Sequence, residues 1–231
     1  MIELFKKDVG LCQNVLIGGV MALLIPYVKL MIIYTYSAGG LTSGESMELL
    51  SLGLMKASVS SFILALTSIA FLAGFIIAGE RRDRSAEFLA YLPPKRSTIL
   101  ASKAILCFLW IAIVAIVYFL VTEVIVPWIS SGEVAIQDGG REQLLIAAGQ
   151  TASIFGVSWL CSSFLESPVI AVITGLVSPM LIWTLVYTLQ LRMGWELDDD
   201  TLVNCVAGMF FILGLSSFVG GCAHFLLRVE P

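Results

Sequence analysis

Six long apolar stretches run through this chain, each separated from the next by a short polar break. They cover residues 16–36, 58–78, 101–126, 144–164, 168–190 and 202–227. A hydrocarbon core of about 30 Å is crossed by roughly 20 helical residues, so every stretch is long enough to span a bilayer. Barrel strands would be about half as long and would alternate apolar with polar positions, which these stretches do not. The pattern predicts an all-α integral membrane protein with six transmembrane helices. The spans and their connections use the whole of residues 1–231, which predicts a single transmembrane domain.

Finer periodicities lie inside this frame. Ile2, Phe5, Val9 and Cys12 recur at three- and four-residue spacing, while Glu3, Lys6, Lys7 and Asp8 fill the opposite positions. This predicts an amphipathic interfacial helix, an elbow over residues 1–14, lying on a leaflet with its lysines toward phosphates. A cleaved leader is the alternative, because Ser37-Ala38-Gly39 offers small residues at cleavage spacing. Lys29 interrupts the first run and Glu3 and Asp8 precede it, which favours a retained span. Between spans four and five, Leu165-Glu166-Ser167-Pro168 makes a tight turn, with Ser167 placed to cap the fifth helix and Pro168 to open it. Pro26 and Pro179 fall inside spans one and five, where each can kink its helix.

Composition agrees with a lipid environment. Of the 231 residues, 58% are hydrophobic and 13% charged, and the mean hydropathy is +0.97. A soluble domain carries about twice that share of charge. The net charge of −4 gives no basic footprint for nucleic acid. Cys12, Cys107, Cys161, Cys205 and Cys222 form no CxxC pair, and most sit in apolar runs as small hydrophobes, so neither a metal nor a redox site is expected.

The distribution of charge sets an orientation. Lys6, Lys7, Arg81, Arg82, Arg84, Lys95, Arg96, Lys103 and Arg228 fall on one side of a six-span chain; Lys56, Arg141 and Arg192 fall on the other. The positive-inside rule then predicts that both termini are cytoplasmic, in a cell inner (plasma) membrane.

One long loop faces that basic side, from Gly79 to Ser97. Phe88, Leu89, Tyr91 and Leu92 sit among its charges, and residues 85–92 suit two helical turns that Pro93-Pro94 would stop. Such a helix cannot bury its aromatic residues alone. It either docks into a partner or rests on headgroups.

The order of elements here resembles the permease of the type-2 ATP-binding cassette (ABC) exporter family. It runs through Glu80-Arg81-Arg82, Glu87-Phe88-Leu89, Leu92-Pro93, Lys95-Arg96 and then Lys103 opening the next span. The N-terminal elbow, the six spans and the tight turn after span four extend the likeness over nearly the whole chain. Ser85 stands where the family often has glycine, and Pro94 is an additional proline. The resemblance implies a cytoplasmic coupling helix in the loop 80–97 that docks on a separate ATPase subunit through Glu80, Arg84, Glu87, Phe88 and Tyr91. It also implies a second permease subunit, as a homo- or heterodimer, with the substrate path between the two. No GxxxxGK[ST] stretch occurs in the chain, so no cofactor is expected on it, and ATP and magnesium are expected on the partner.

Polar residues within spans are candidates for the translocation path: Lys29, Glu123, Gln150, Thr151 and Ser153. Lys29 and Glu123 lie at similar depth and either pair or reach separately to the interface. Ala70, Gly74 and Ala78, and Ala148, Ala152 and Gly156, form small-residue stripes that predict close helix contacts. His224, the single histidine, lacks a nucleophile elbow and reads as a packing residue rather than a catalytic one. The competing functional classes are a membrane-embedded assembly or scaffold partner of a cytoplasmic protein, and an intramembrane enzyme.

Overall fold

The computed structural model describes residues 2–37, 43–82, 95–129, 140–193 and 198–227. Among these residues there are no strands. Six helices follow in order: α1 (Ile2–Ser37), α2 (Ser43–Arg82), α3 (Arg96–Phe119), α4 (Gly140–Phe164), α5 (Pro168–Met193) and α6 (Asp199–Leu227). α3 continues through a π-helical turn, Leu120–Ile125, into a last α turn, Val126–Ile129. All six helices are long and apolar enough to cross a membrane.

The bundle is organised around α2, which touches α1, α3, α4 and α5. Two thirds of its central window is buried, against 17% for α1, so α1 and much of α3, α5 and α6 turn apolar faces outward from the bundle. The closest packing joins α4 to α6. A Cβ on Gly156 would overlap the Gly214 carbonyl, and one on Gly214 would overlap the backbone of Ala152. Gly74 makes a looser close approach, to Pro168 and Val172 of α5. The two small-residue stripes therefore act as the sequence implies: in lipid, helices associate by close van der Waals fit, and the absent side chains allow it. Phe108 of α3, Phe155 and Trp159 of α4 and Phe218 of α6 fill the space behind that contact, with ring centroids 5.4–5.7 Å apart.

Helix starts follow local chemistry. α5 begins at Pro168, whose missing N–H would have no partner in a first turn, as the sequence suggests. Asp198 precedes α6 and accepts a 3.4 Å hydrogen bond from the Thr201 N–H, an N-cap contact. At α3 the residue before the helix is Lys95, in an extended conformation, and Ser97 is already inside. The N–H groups of Thr98 and Ile99 turn back to the Lys95 carbonyl, so the cap is made by backbone.

The elbow over 1–14 is not a separate element. α1 is one uninterrupted helix from Ile2. At 1.5 Å per residue it is about 54 Å long, well beyond a hydrocarbon core of about 30 Å. The apolar positions read as a membrane-facing stripe point into the bundle instead: Cys12 is buried, and Phe5 and Val9 pack against the core. A polar residue on this first stretch, Asp8, supplies the reason.

Candidate functional site

Asp8 lies in the second turn of α1 and is only 4% exposed. An isolated carboxylate there would be costly, and it is held by two groups from α3. The Ser102 hydroxyl donates to its Oδ2 at 2.7 Å, and Lys103 Nζ lies 3.4 Å from its Oδ1. Lys103 is fully buried, and its ammonium has three donors to satisfy. It uses them on Asp8, on Glu80 Oε1 at 2.9 Å and on the Ile76 carbonyl at 2.8 Å. Lys7 completes the set, 2.8 Å from the same Glu80 oxygen. Two cations face two anions, so the cluster is neutral by formal charge. It binds the beginning of α1, the end of α2 and the beginning of α3.

Position adds to the pairing. Ile76 and Glu80 belong to the last turns of α2, where the helix dipole is negative and cations are favoured. Asp8, Cys12, Gly79, Glu80 and Lys103 also line a small cavity of about 90 Å³ at this junction. Arg82 and Arg96, the residues that bound the loop, are two residues beyond Glu80 and seven before Lys103. The cluster thus fixes both roots of the 83–94 segment to each other and to α1. Of the five residues assigned to docking, the structure describes Glu80, which is 8% exposed and engaged in the cluster. Arg84, Glu87, Phe88 and Tyr91 lie outside the described residues.

Comparison with known proteins bears on what such an assembly is for. A family model described as ABC-2 family transporter protein matches residues 13–191. The chain belongs to this family. No curated protein and no solved structure matches it. It is a multi-pass membrane permease, the transmembrane subunit of a type-2 ABC transporter.

In this ABC-2 permease the candidate path residues do not form one site. Lys29 lines a cleft between α1 and α2. Glu123 sits in the π-helical turn of α3, and none of the ion pairs among the described residues joins it to Lys29. Thr151 lines an apolar cavity of about 280 Å³ together with Phe62, Tyr118, Phe155 and Phe218. Its hydroxyl donates to the Ala147 carbonyl of its own helix. Gln150 is half-buried on α4, and Ser153 is fully buried with its hydroxyl 2.9 Å from that of Ser178 on α5. His224 stacks on Phe164, with ring centroids 3.8 Å apart.

Two features of the permease escape a reading of the sequence. The charge cluster is one, because its bonded pairs are up to 95 positions apart. The π-helical turn is the other, and here a signal exists in Pro127. A proline ring clashes with the carbonyl four residues earlier, which is that of Glu123, and the wide turn gives that carbonyl room.

Proposed function

We propose that this permease is half of the membrane pore of an ATP-driven exporter, working as a dimer and coupled through the loop 80–97 to a separate ATPase subunit. The observation that carries the proposal is the cluster of Asp8, Glu80, Lys7, Ser102 and Lys103 at the roots of that loop, in a chain of the ABC-2 family. A nucleotide-driven motion must be delivered to whole helices rather than absorbed by a flexible connection. A loop whose two roots are tied to one another and to α1 moves three helices as a unit.

In this reading Arg84, Glu87, Phe88 and Tyr91 meet the ATPase, and Glu80 carries the force inward from the base of the loop. ATP and magnesium bind the partner. The basic end of the bundle, with both termini, faces the cytoplasm of the inner (plasma) membrane, by the positive-inside rule. Export follows from the family resemblance.

The test is reconstitution of the permease with a co-expressed ABC ATPase subunit. The pair is expected to co-purify, and the permease to raise ATP hydrolysis. Glu87→Lys and Phe88→Ala are expected to lower both assembly and stimulation. Unchanged complexes with full transport in both variants would remove the docking assignment.

A further inference from the structure

Far from the charge cluster, two lysines share one cleft. Lys29 of α1 and Lys56 of α2 both line an open groove of about 540 Å³ between these helices. Lys29 is 21 residues beyond Asp8 and Lys56 is 24 residues before Glu80, or about 32 and 36 Å of helix. Those lengths match a hydrocarbon core of about 30 Å, so the cluster and the two lysines mark opposite interfaces of the membrane.

The remaining walls are apolar: Ile25, Leu30, Ile33 and Leu52 among them, with Tyr34 and Ser60 as polar additions. No carboxylate lines the groove among the described residues, and neither lysine makes an ion pair there. The contrast with Lys103 is direct, since that lysine spends every donor on protein acceptors. Two uncompensated cations at one interface repel each other unless an anion stands between them. The floor of the groove is firm. Gly53 admits the Leu30 side chain on the outer side of the lysines, and the Ser61 hydroxyl bonds the Leu23 carbonyl at 2.7 Å on the inner side, so α1 and α2 are held together to either side of them.

We propose that this groove binds an acidic phospholipid of the surrounding bilayer. Its phosphate lies between the Lys29 and Lys56 ammonium groups and its acyl chain along Ile25, Ala57 and Leu64, which follow the lysines toward the membrane interior. Charge and shape each select this occupant. Two lysines attract an anion, and an apolar trough leading away from them toward the membrane interior accepts a hydrocarbon tail. A zwitterionic lipid would bring its own cation to the same place.

Native mass spectrometry of the purified full-length chain tests the proposal, with phosphatidylglycerol and phosphatidylcholine of identical acyl chains as probes. The first phosphatidylglycerol is expected to be retained in preference to phosphatidylcholine. Each lysine near a membrane surface contributes enough to an anionic lipid that Lys29→Gln or Lys56→Gln should weaken this first binding about 5-fold, and the double variant about 30-fold. The Lys29→Arg/Lys56→Arg double variant keeps the charge and should keep the preference. Both lysines are exposed, so the variants are expected to remain monodisperse on gel filtration. Equal retention of the two lipids by the unmodified protein overturns the proposal, as does an unchanged preference in the double glutamine variant. Displacement of the lipid by excess inorganic phosphate also overturns it, since the site would then take an anion without a chain.

Discussion

At the scale of single residues the decisive feature is Lys103, a fully buried ammonium with each of its donors used. Replacing a buried ion pair by apolar groups is often neutral, but removing one partner leaves its counterparts buried and uncompensated, at about 3–5 kcal/mol. Lys103→Met should therefore lower the thermal unfolding midpoint of the detergent-solubilised permease sharply, and an unchanged midpoint would show that Asp8 and Glu80 do not depend on it. Ser102→Ala removes one hydrogen bond to a carboxylate and should cost less, about 1.5–3 kcal/mol, in the same measurement. Little of this is legible along the chain. Lys103 reads as one more lysine on the cytoplasmic side, and Asp8 as one polar position in an amphipathic turn. Sequence spacing gives the side of the membrane on which each charge falls but not its partner, because the pairing is fixed by how three helices cross. Glu80 was legible as part of a charged junction for the same reason that its burial was not.

The scale of elements is where sequence and structure agree best, since hydropathy acts on segments rather than on contacts. Each of the six apolar runs lies within a helix, and Pro168 marks a start to the residue. The differences arise where a tertiary contact overrides a local pattern: α1 has no break after the elbow because Asp8 and Cys12 are drawn into the bundle. Helix pairing gives a matched prediction. Gly156→Ala places a Cβ against the Gly214 carbonyl and should reduce stability and the yield of monodisperse protein. Gly18→Ala meets nothing within 4 Å and should stabilise α1 by about 0.5–1 kcal/mol through better helix propensity. If the two alanine variants behave alike in thermal unfolding, α4 and α6 do not meet backbone to backbone at Gly156 and Gly214. The cap of α6 has a pH signature. The Thr201 hydroxyl, with help from its N–H, holds the Asp198 carboxyl below its ordinary value. A carboxylate with a lowered folded pKa contributes stability that is complete above the unfolded value, about 3.9, and is lost as pH falls through the folded one. Amide protection in the first turn of α6, corrected for intrinsic exchange, should thus be flat from pH 8 to 5 and fall only below about pH 4. Asp198→Ala should abolish the difference.

For the whole molecule, the bundle has two unlike ends, and their assignment to the two sides of the membrane determines whether the proposed coupling can exist. One end carries the neutral cluster and both roots of the 83–94 segment; the other carries Lys29 and Lys56 in their groove. With an even number of spans both termini share a side, so one accessible position fixes all of them. Lys95 ends the loop and is exposed, and Arg192, in the last turn of α5, is exposed at the opposite end. Lys95→Cys and Arg192→Cys, each in a background lacking the native cysteines, can be probed with a membrane-impermeant maleimide. Lys95→Cys should react in inside-out vesicles and stay unreactive in intact cells, and Arg192→Cys should do the reverse. A Lys95→Cys label acquired from outside would place the cluster, and with it the tie between α1, α2 and α3, on the side away from cytosolic ATP. No arrangement of an ATPase subunit could then pull on these helices through the loop, whatever the packing of the bundle.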